Sequence, residues 1–131
     1  MYFNLQFISP EVAQAIHNVL AKRGEPSMDR ILVFSPKEED IVQGGIIIPG
    51  QVKEGKPNKG VVVGSGYISE EYATYREATK VGRIITYGMY AGKEVDFDPS
   101  IFKEAGIEID TERNAFTILA INEIIYSEIN L

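Results

Sequence analysis

The stretch Lys59-Gly60-Val61-Val62-Val63-Gly64-Ser65-Gly66 decides the fold of this chain. Its three β-branched valines favour an extended backbone, and the glycines around them are typical of turns and bulges. Residues 30–34, Arg-Ile-Leu-Val-Phe, have the same character and stop at Ser35-Pro36, because proline cannot donate to a strand ladder. The two segments predict two short apolar strands.

Further short strands are predicted at residues 83–87, 93–97, 115–121 and 124–129. Ten of the 12 glycines fall between Gly44 and Gly92, among short β-branched runs, as expected for strands joined by tight turns. Six or so such strands indicate a mainly β fold and a small β-barrel. Residues 98–106 predict one helical turn inserted between two strands.

The first part of the chain predicts an amphipathic helix over roughly residues 10–23. Ser9-Pro10-Glu11 is a helix start, with serine as N-cap and proline at the first helical position, and Gly24 and Pro26 form a stop. One face of this helix carries Val12, Ile16, Val19 and Leu20, and His17 lies beside it. We therefore interpret His17 as a surface or partly packed histidine. Residues 2–8 alternate only in part, which is compatible with a short strand.

Composition excludes several classes of function. The chain has 131 residues, enough for one core, which we divide into an extension at residues 1–27 and a barrel at residues 28–131. The net charge of −6 and a pI near 4.8 argue against nucleic acid as a partner. All of that net charge lies in residues 61–131. No apolar run approaches the ~18 residues of a membrane span, so the sequence predicts a cytoplasmic protein that does not bind membranes.

Catalytic and metal-binding patterns are also missing. With no cysteine and one histidine, thiolate chemistry and histidine-rich metal sites are excluded. Gly64-Ser65-Gly66 opens a dinucleotide fingerprint, but Ser69 stands where the third glycine is required. Asp96 and Asp98 could share one face of a strand, yet the further oxygen ligands of a calcium loop do not follow. The sequence predicts no enzyme, no cofactor and no metal site.

Residues 36–58 form a connection far longer than the median of about 4–6 residues, and such loops tend to be functional. Its centre is Gly44-Gly45 followed by Ile46-Ile47-Ile48 and a stop at Pro49-Gly50. The isoleucines could form an apolar contact surface on a flexible loop. Alternatively, the glycines are a bulge and the isoleucines an ordinary core strand, which the local residues alone favour.

Five ordered segments at matching spacing resemble the GroES-type co-chaperonins, over roughly residues 28–127. The segments are Asp29-Arg30-Ile31-Leu32-Val33, Gly44-Gly45-Ile46-Ile47-Ile48-Pro49, Lys59 to Gly66, Lys80-Val81-Gly82-Arg83-Ile84-Ile85 and Tyr90-Ala91-Gly92-Lys93-Glu94-Val95. Residues 116–125 are similar to the closing strand pair of that family.

The resemblance implies a GroES-like β-barrel that assembles into a homo-oligomeric ring, a heptamer, and caps a GroEL-type chaperonin ring. The cap would close an ATP-driven folding chamber around a non-native client, with the ATP bound by the chaperonin. Carried onto this chain, the docking residues are Ile46, Ile47 and Ile48, with Gly44 and Gly45 as a swivel in a long flexible loop. A roof-like hairpin would lie within residues 66–80. Subunit contacts would involve Arg30, Leu32, Ile124 and Tyr126.

The chain departs from that family in its amphipathic helix, in an insertion at residues 98–114, and at Glu25-Pro26-Ser27, which interrupts the expected first strand. Such a divergent form would suit a bacteriophage-encoded co-chaperonin acting in a bacterial host. The alternative is an oligomeric structural or virion ring component in which the loop is a permanent interface. A third interpretation, an enzyme built on the barrel, would require a pocket with convergent polar groups.

Overall fold

The computed structural model describes residues 8–36, 41–43, 46–48, 58–111 and 114–130. Its helices and strands are, in chain order, α1 (Pro10–Ala21), β1 (Arg30–Pro36), β2 (Ile41–Gln43), β3 (Ile46–Ile48), β4 (Asn58–Ser65), β5 (Ile84–Tyr87), β6 (Lys93–Val95), α2 (Ser100–Lys103), β7 (Asn114–Ala120) and β8 (Ile124–Glu128). Short 3-10 helices span Glu70–Tyr75 and Ile121–Glu123. No helix in these ranges is both long and apolar enough to cross a membrane.

Six strands form one sheet in the order β6-β7-β1-β4-β5-β8, and every pairing in it is antiparallel. These are the six strands that the sequence predicts, with ends shifted by one or two residues. The mainly β fold is therefore confirmed, and the sheet is consistent with a small barrel of the GroES type. Within it, β1 is central, while β6 and β8 are the edge strands.

Alternate residues of the central strands are buried on opposite faces of the sheet. On β1, Ile31 and Val33 belong to one apolar cluster, while Leu32 and Phe34 belong to the other. The valines of β4 divide in the same way, as the two-residue period of a strand requires. Both strands are uninterrupted apolar runs because both of their faces are covered.

Helix α1 covers one face of the sheet and begins where the sequence predicts. The Ser9 hydroxyl accepts a hydrogen bond from the Val12 amide at 3.3 Å, and Pro10 occupies the first turn. The helix ends at Ala21, two residues before the predicted end. Its buried residues are Ala13, Ile16 and Leu20, whereas Val12 is 39% exposed. The prediction that Val12 lies on the packed face is wrong, because Ala13 takes that place against the sheet.

The insertion at residues 98–114 packs on the same face as α1. Its helical turn is confirmed as α2, which carries Phe102, a side chain with no exposed surface. The Phe102 ring stacks on Phe116 of β7 with centroids 5.5 Å apart and 9° between planes, and it meets Phe97 edge-on. The extension and the insertion therefore form one added layer that shares the core of the sheet.

The roof-like hairpin predicted within residues 66–80 is wrong. Residues 66–80 contain the 3-10 helix Glu70–Tyr75 and no strand. The Tyr72 amide bonds to the Ser69 carbonyl at 3.0 Å, and the Arg76 guanidinium donates to the Ile68 carbonyl at 2.9 Å. These contacts use backbone groups within the segment, which a hairpin would instead have paired across two strands.

Candidate functional site

Strand β3, which is formed by the predicted docking isoleucines, pairs with β2 and with no other strand in the described part of the chain. We call residues 37–57 the arm. In it Ile46 pairs with Gln43, Ile47 with Val42 and Ile48 with Ile41, in an antiparallel two-stranded sheet separate from the main one. The interpretation of residues 46–48 as an ordinary strand of the main sheet is therefore wrong, because β3 pairs with β2 in a separate sheet. Gly44 and Gly45 lie outside the described residues.

The root of the arm is fixed to the main sheet on both sides. On the outgoing side, the buried Tyr87 hydroxyl donates to the Ser35 hydroxyl at 3.1 Å, one residue before β1 ends. On the returning side, Asn58 pairs with Tyr87, and its side-chain amide donates to the Met89 carbonyl at 3.3 Å. The arm therefore leaves from β1 and returns to β4, and both strands contact Tyr87 of β5 at these points. Burial raises the pKa of Tyr87 despite hydrogen bonds to Ser35 and Thr117 that act in the opposite direction.

The predicted subunit-contact residues on the last strand lie on the free edge of the sheet. Ile124 is half-buried against the core, whereas Tyr126 is 63% exposed. Sequence reasoning missed Ile125 and Ile129, which are 64% and 67% exposed. On β5, Tyr87 pairs with Ile124 and Thr86 with Tyr126, so Ile125 occupies a bulge without a partner of its own. The sequence contained a signal for this exposure: Ile124, Ile125 and Tyr126 are consecutive large apolar residues, and a strand directs neighbouring side chains to opposite faces.

The two predicted contact residues on β1 differ in exposure. Arg30 is exposed at the start of the strand. Leu32 is 4% exposed and belongs to the cluster beneath α1. Because β1 is flanked by β4 and β7, its backbone has no free edge. The Leu32 side chain is thus occupied by this chain's own core, and of the two residues Arg30 alone presents a side chain to solvent.

Polar contacts on its inner side hold β8 in place. Lys59 forms an ion pair with Glu128 at 2.9 Å. The Arg83 guanidinium donates to the Ser127 hydroxyl at 3.1 Å, and that hydroxyl donates to the Ala78 carbonyl at 2.8 Å. The strand is therefore attached to β4, β5 and the segment after the 3-10 helix, and its other side faces outward. Strand β8 is therefore an edge strand that these contacts hold in place, and it carries exposed apolar side chains.

Asp29 connects the start of β1 to the segment around the 3-10 helix. Its carboxylate accepts from the Ser69 amide at 2.7 Å and from the Ser69 hydroxyl at 2.8 Å. Its amide donates to the Tyr67 carbonyl at 2.8 Å, and its carbonyl accepts from the Ile121 amide at 3.0 Å. Asp29 does this with a φ of 58°, a conformation that aspartate tolerates better than most residues.

Asp98, one of the two aspartates considered for a metal, contacts the start of α2. The Asp98 carboxylate accepts from the Ser100 amide at 3.0 Å at the start of α2, and this contact, together with the Ser100 hydroxyl, lowers the pKa of Asp98. Across the described ranges, no three histidine or acidic side chains come together in a group that could hold a metal ion.

Comparison with known proteins finds similar sequences in one family. The family model described as "Chaperonin 10 Kd subunit" matches residues 24–126. The co-chaperonin GroES of Marinobacter nauticus is 41% identical over 75 residues, covering 56% of this chain and 78% of that protein. Its counterpart from Exiguobacterium sibiricum is 40% identical over 76 residues, covering 56% and 80%. The GroES of Hyphomonas neptunium is 38% identical over 87 residues, covering 63% and 90%.

The matched region spans most of the chain, and the chain belongs to the chaperonin 10 family. The resemblance predicted from its five motifs is confirmed. The match begins at residue 24, so helix α1 precedes it, whereas the insertion that carries α2 lies within it.

Proposed function

We propose that this chain is a co-chaperonin that docks on a GroEL-type chaperonin ring through its arm. The observation that carries the proposal is the separate pairing of Ile46–Ile48 within the arm, on a root fixed by Ser35, Tyr87 and Asn58. The matched relatives bear the name co-chaperonin GroES, which favours this function over a structural or virion component. The partner would bind and hydrolyse the ATP and would enclose the non-native client.

The energetics of one arm explain why a ring is needed. Burying three isoleucines gains about 1.5–3 kcal/mol each. Fixing some five residues of the arm on binding costs roughly 1–2 kcal/mol apiece. The two terms nearly cancel, so one arm would bind weakly and reversibly. Several arms on one homo-oligomeric ring, a heptamer in this proposal, raise the effective concentration of each other and give a useful affinity.

Charge is distributed in a way that suits this proposal. The net charge of residues 1–60 is zero, whereas residues 61–131 carry all of the −6. The half of the chain that contains the arm would thus dock through apolar contact, with little electrostatic attraction. The acidic half would give the assembled cap a well-solvated surface, since like charges on its subunits oppose non-specific association.

The test is a single substitution in the arm, Ile47→Asp, compared with Ile47→Leu. Purified rings of each variant are mixed with a GroEL-type ring, with and without ATP, and separated by gel filtration. We expect nucleotide-dependent co-migration for the original chain and for Ile47→Leu, and none for Ile47→Asp. Circular dichroism and native mass spectrometry should show that Ile47→Asp still folds and assembles. Co-migration of Ile47→Asp, or its failure to fold, would overturn the role given to the arm.

A further inference from the structure

A cavity lies between the end of α1 and the face of the sheet that this helix covers. Its volume is about 490 Å³, within the range of about 300–1,000 Å³ that is typical of small-molecule sites. Most of its lining is apolar, and the large apolar side chains are Leu20, Leu32, Val63, Phe97 and Ile118. Leu20 belongs to α1, and the helix therefore supplies one wall of the cavity, while the sheet supplies the floor.

Gly64 leaves space in this cavity because it has no side chain. It pairs with Leu32 of β1, and both residues line the cavity. A Cβ atom at Gly64 would lie 3.6 Å from the Leu32 Cβ and 3.8 Å from the Pro26 Cδ, which is ordinary van der Waals contact. Gly64 also lacks the positive φ that three other glycines have. Neither the backbone nor close packing therefore requires glycine here, and a larger side chain would occupy the space that glycine leaves open.

The half-buried polar side chains around the cavity, His17 and Ser65, already have hydrogen-bond partners. The His17 ring contacts the Val63 carbonyl, and the Ser65 hydroxyl donates to the Gly66 carbonyl at 2.9 Å. Within the described ranges, no buried side-chain nitrogen or oxygen is without a partner. The charged side chains that line the cavity, Arg23 and Glu25, are exposed and have opposite signs. A polar or charged ligand would thus lose its water without a buried group or a net charge to replace it.

We propose that this cavity binds an uncharged, largely apolar small molecule. Apolar cavities take up apolar molecules, because the ligand and the lining both lose surface exposed to water. The wall is also preformed, since the Phe97 ring is held edge-on against Phe116 with centroids 5.1 Å apart and 85° between planes. The described residues that line the cavity all lie outside the arm. The inference therefore stands apart from the proposed docking on a chaperonin.

Two fluorescent probes with the same rings test the class of ligand. N-phenyl-1-naphthylamine is uncharged, and its fluorescence rises in apolar surroundings. 1-Anilinonaphthalene-8-sulfonate has the same rings and one negative charge. Both are titrated into the full-length protein, and we expect one site per chain for the uncharged probe and an affinity at least about tenfold lower for the sulfonate. No binding of the uncharged probe would overturn the proposal, and equal or tighter binding of the sulfonate would contradict an uncharged ligand.

Filling the cavity should prevent binding of the uncharged probe. Gly64→Val adds a β-branched side chain that a strand accommodates well. Gly88→Val is the matched control, because Gly88 lies outside the cavity and a Cβ atom there would lie 4.0 Å from the Ala91 Cβ. We expect Gly64→Val to weaken binding of N-phenyl-1-naphthylamine at least about tenfold and Gly88→Val to leave it unchanged, with both variants folded by circular dichroism. Equal affinity of the two folded variants would overturn the assignment to this cavity.

Methyl NMR of the original chain locates the probe without any substitution. We expect N-phenyl-1-naphthylamine to shift the methyl signals of Leu20, Val63 and Ile118, which line the cavity, and not that of Ile125 on the exposed edge strand β8. Absence of shifts at the three cavity residues would overturn the proposal, and a shift at Ile125 alone would place the probe on the exposed edge. This measurement also decides if Gly64→Val fails to fold.

Discussion

The His17 ring nitrogen Nδ1 lies 3.2 Å from the carbonyl oxygen of Val63. Leu32 pairs with Gly64 and Val33 with Val62, so Val63 sits in a bulge and faces no residue of β1. A carbonyl oxygen can only accept, and Nδ1 therefore carries the proton in this contact. The single histidine of the chain thus anchors α1 to the backbone of β4 at this bulge.

Replacing His17 with alanine should lower the free energy of unfolding by about 1–3 kcal/mol, since it removes the part-buried hydrogen bond to the Val63 carbonyl. Gln14→Ala on the same helix is the control, because the Gln14 side chain is exposed and donates a hydrogen bond to Asn18 of the same helix. Urea denaturation of both variants measures the difference. Equal stability of the two would show that the contact with Val63 contributes nothing.

Replacing Phe102 with alanine tests whether the insertion is part of the core. The side chain is fully buried and stacked on Phe116, so we expect a loss of about 3–5 kcal/mol in the free energy of unfolding. Lys103→Ala, exposed on the same short helix, should change stability little. A loss for Phe102→Ala no larger than that of Lys103→Ala would mean that the insertion is a surface decoration.

Most of the fold could be predicted because local residues determine it. The β-branched runs on β1 and β4 require extended backbone, and Ser9-Pro10 specifies the start of α1. The segment at residues 66–80 could not be predicted in this way. Its conformation depends on the contact between Asp29 and Ser69, which are 40 residues apart, and no local pattern reports a contact at that separation.

In the candidate site, too, some features follow from local residues and others depend on long-range contacts. The arm is visible in the sequence because two glycines and three isoleucines interrupt a long polar connection. The exposure of contact residues depends on the order of strands in the sheet. Leu32 is buried because β1 is central, and Ile125 is exposed because β8 is an edge with a bulge. Strand order arises from long-range pairing, which one sequence does not reveal.

Gly92 and Gly106 make a matched pair for a test of backbone strain. Both have positive φ, 79° and 80°, but a Cβ atom at Gly92 would lie 2.7 Å from Leu119 and at Gly106 would meet nothing within 4 Å. Alanine at Gly106 should cost about 1 kcal/mol from φ alone. Alanine at Gly92 should cost at least about 2 kcal/mol, from φ and the collision together. Thermal unfolding of the two variants compares them, and equal losses would contradict the role of close packing.

The contact between Asp29 and Ser69 should hold residues 66–76 against the barrel. Asp29→Ala removes both hydrogen bonds at a left-handed position and should cost about 2–4 kcal/mol. Ser69→Ala retains the amide contact and should cost about 1 kcal/mol. Hydrogen exchange should quicken in residues 66–76 for Asp29→Ala, more than in β4. Equal acceleration throughout the chain would indicate general destabilisation instead of a local attachment.

Tyr87 should make stability depend on alkaline pH. Because burial raises the pKa of its phenol, the unfolded chain ionises Tyr87 first, above about pH 10. Its contribution is full below that pH and is lost as pH rises towards the pKa of the folded state. At neutral pH, Tyr87→Phe should cost about 1 kcal/mol through the bond to Ser35, and this difference should shrink above about pH 10. Ser35→Ala, which keeps the buried phenol, should retain the alkaline loss. Urea denaturation across that range measures all three chains, and a difference between Tyr87→Phe and the original chain that stays constant with pH would contradict the assignment.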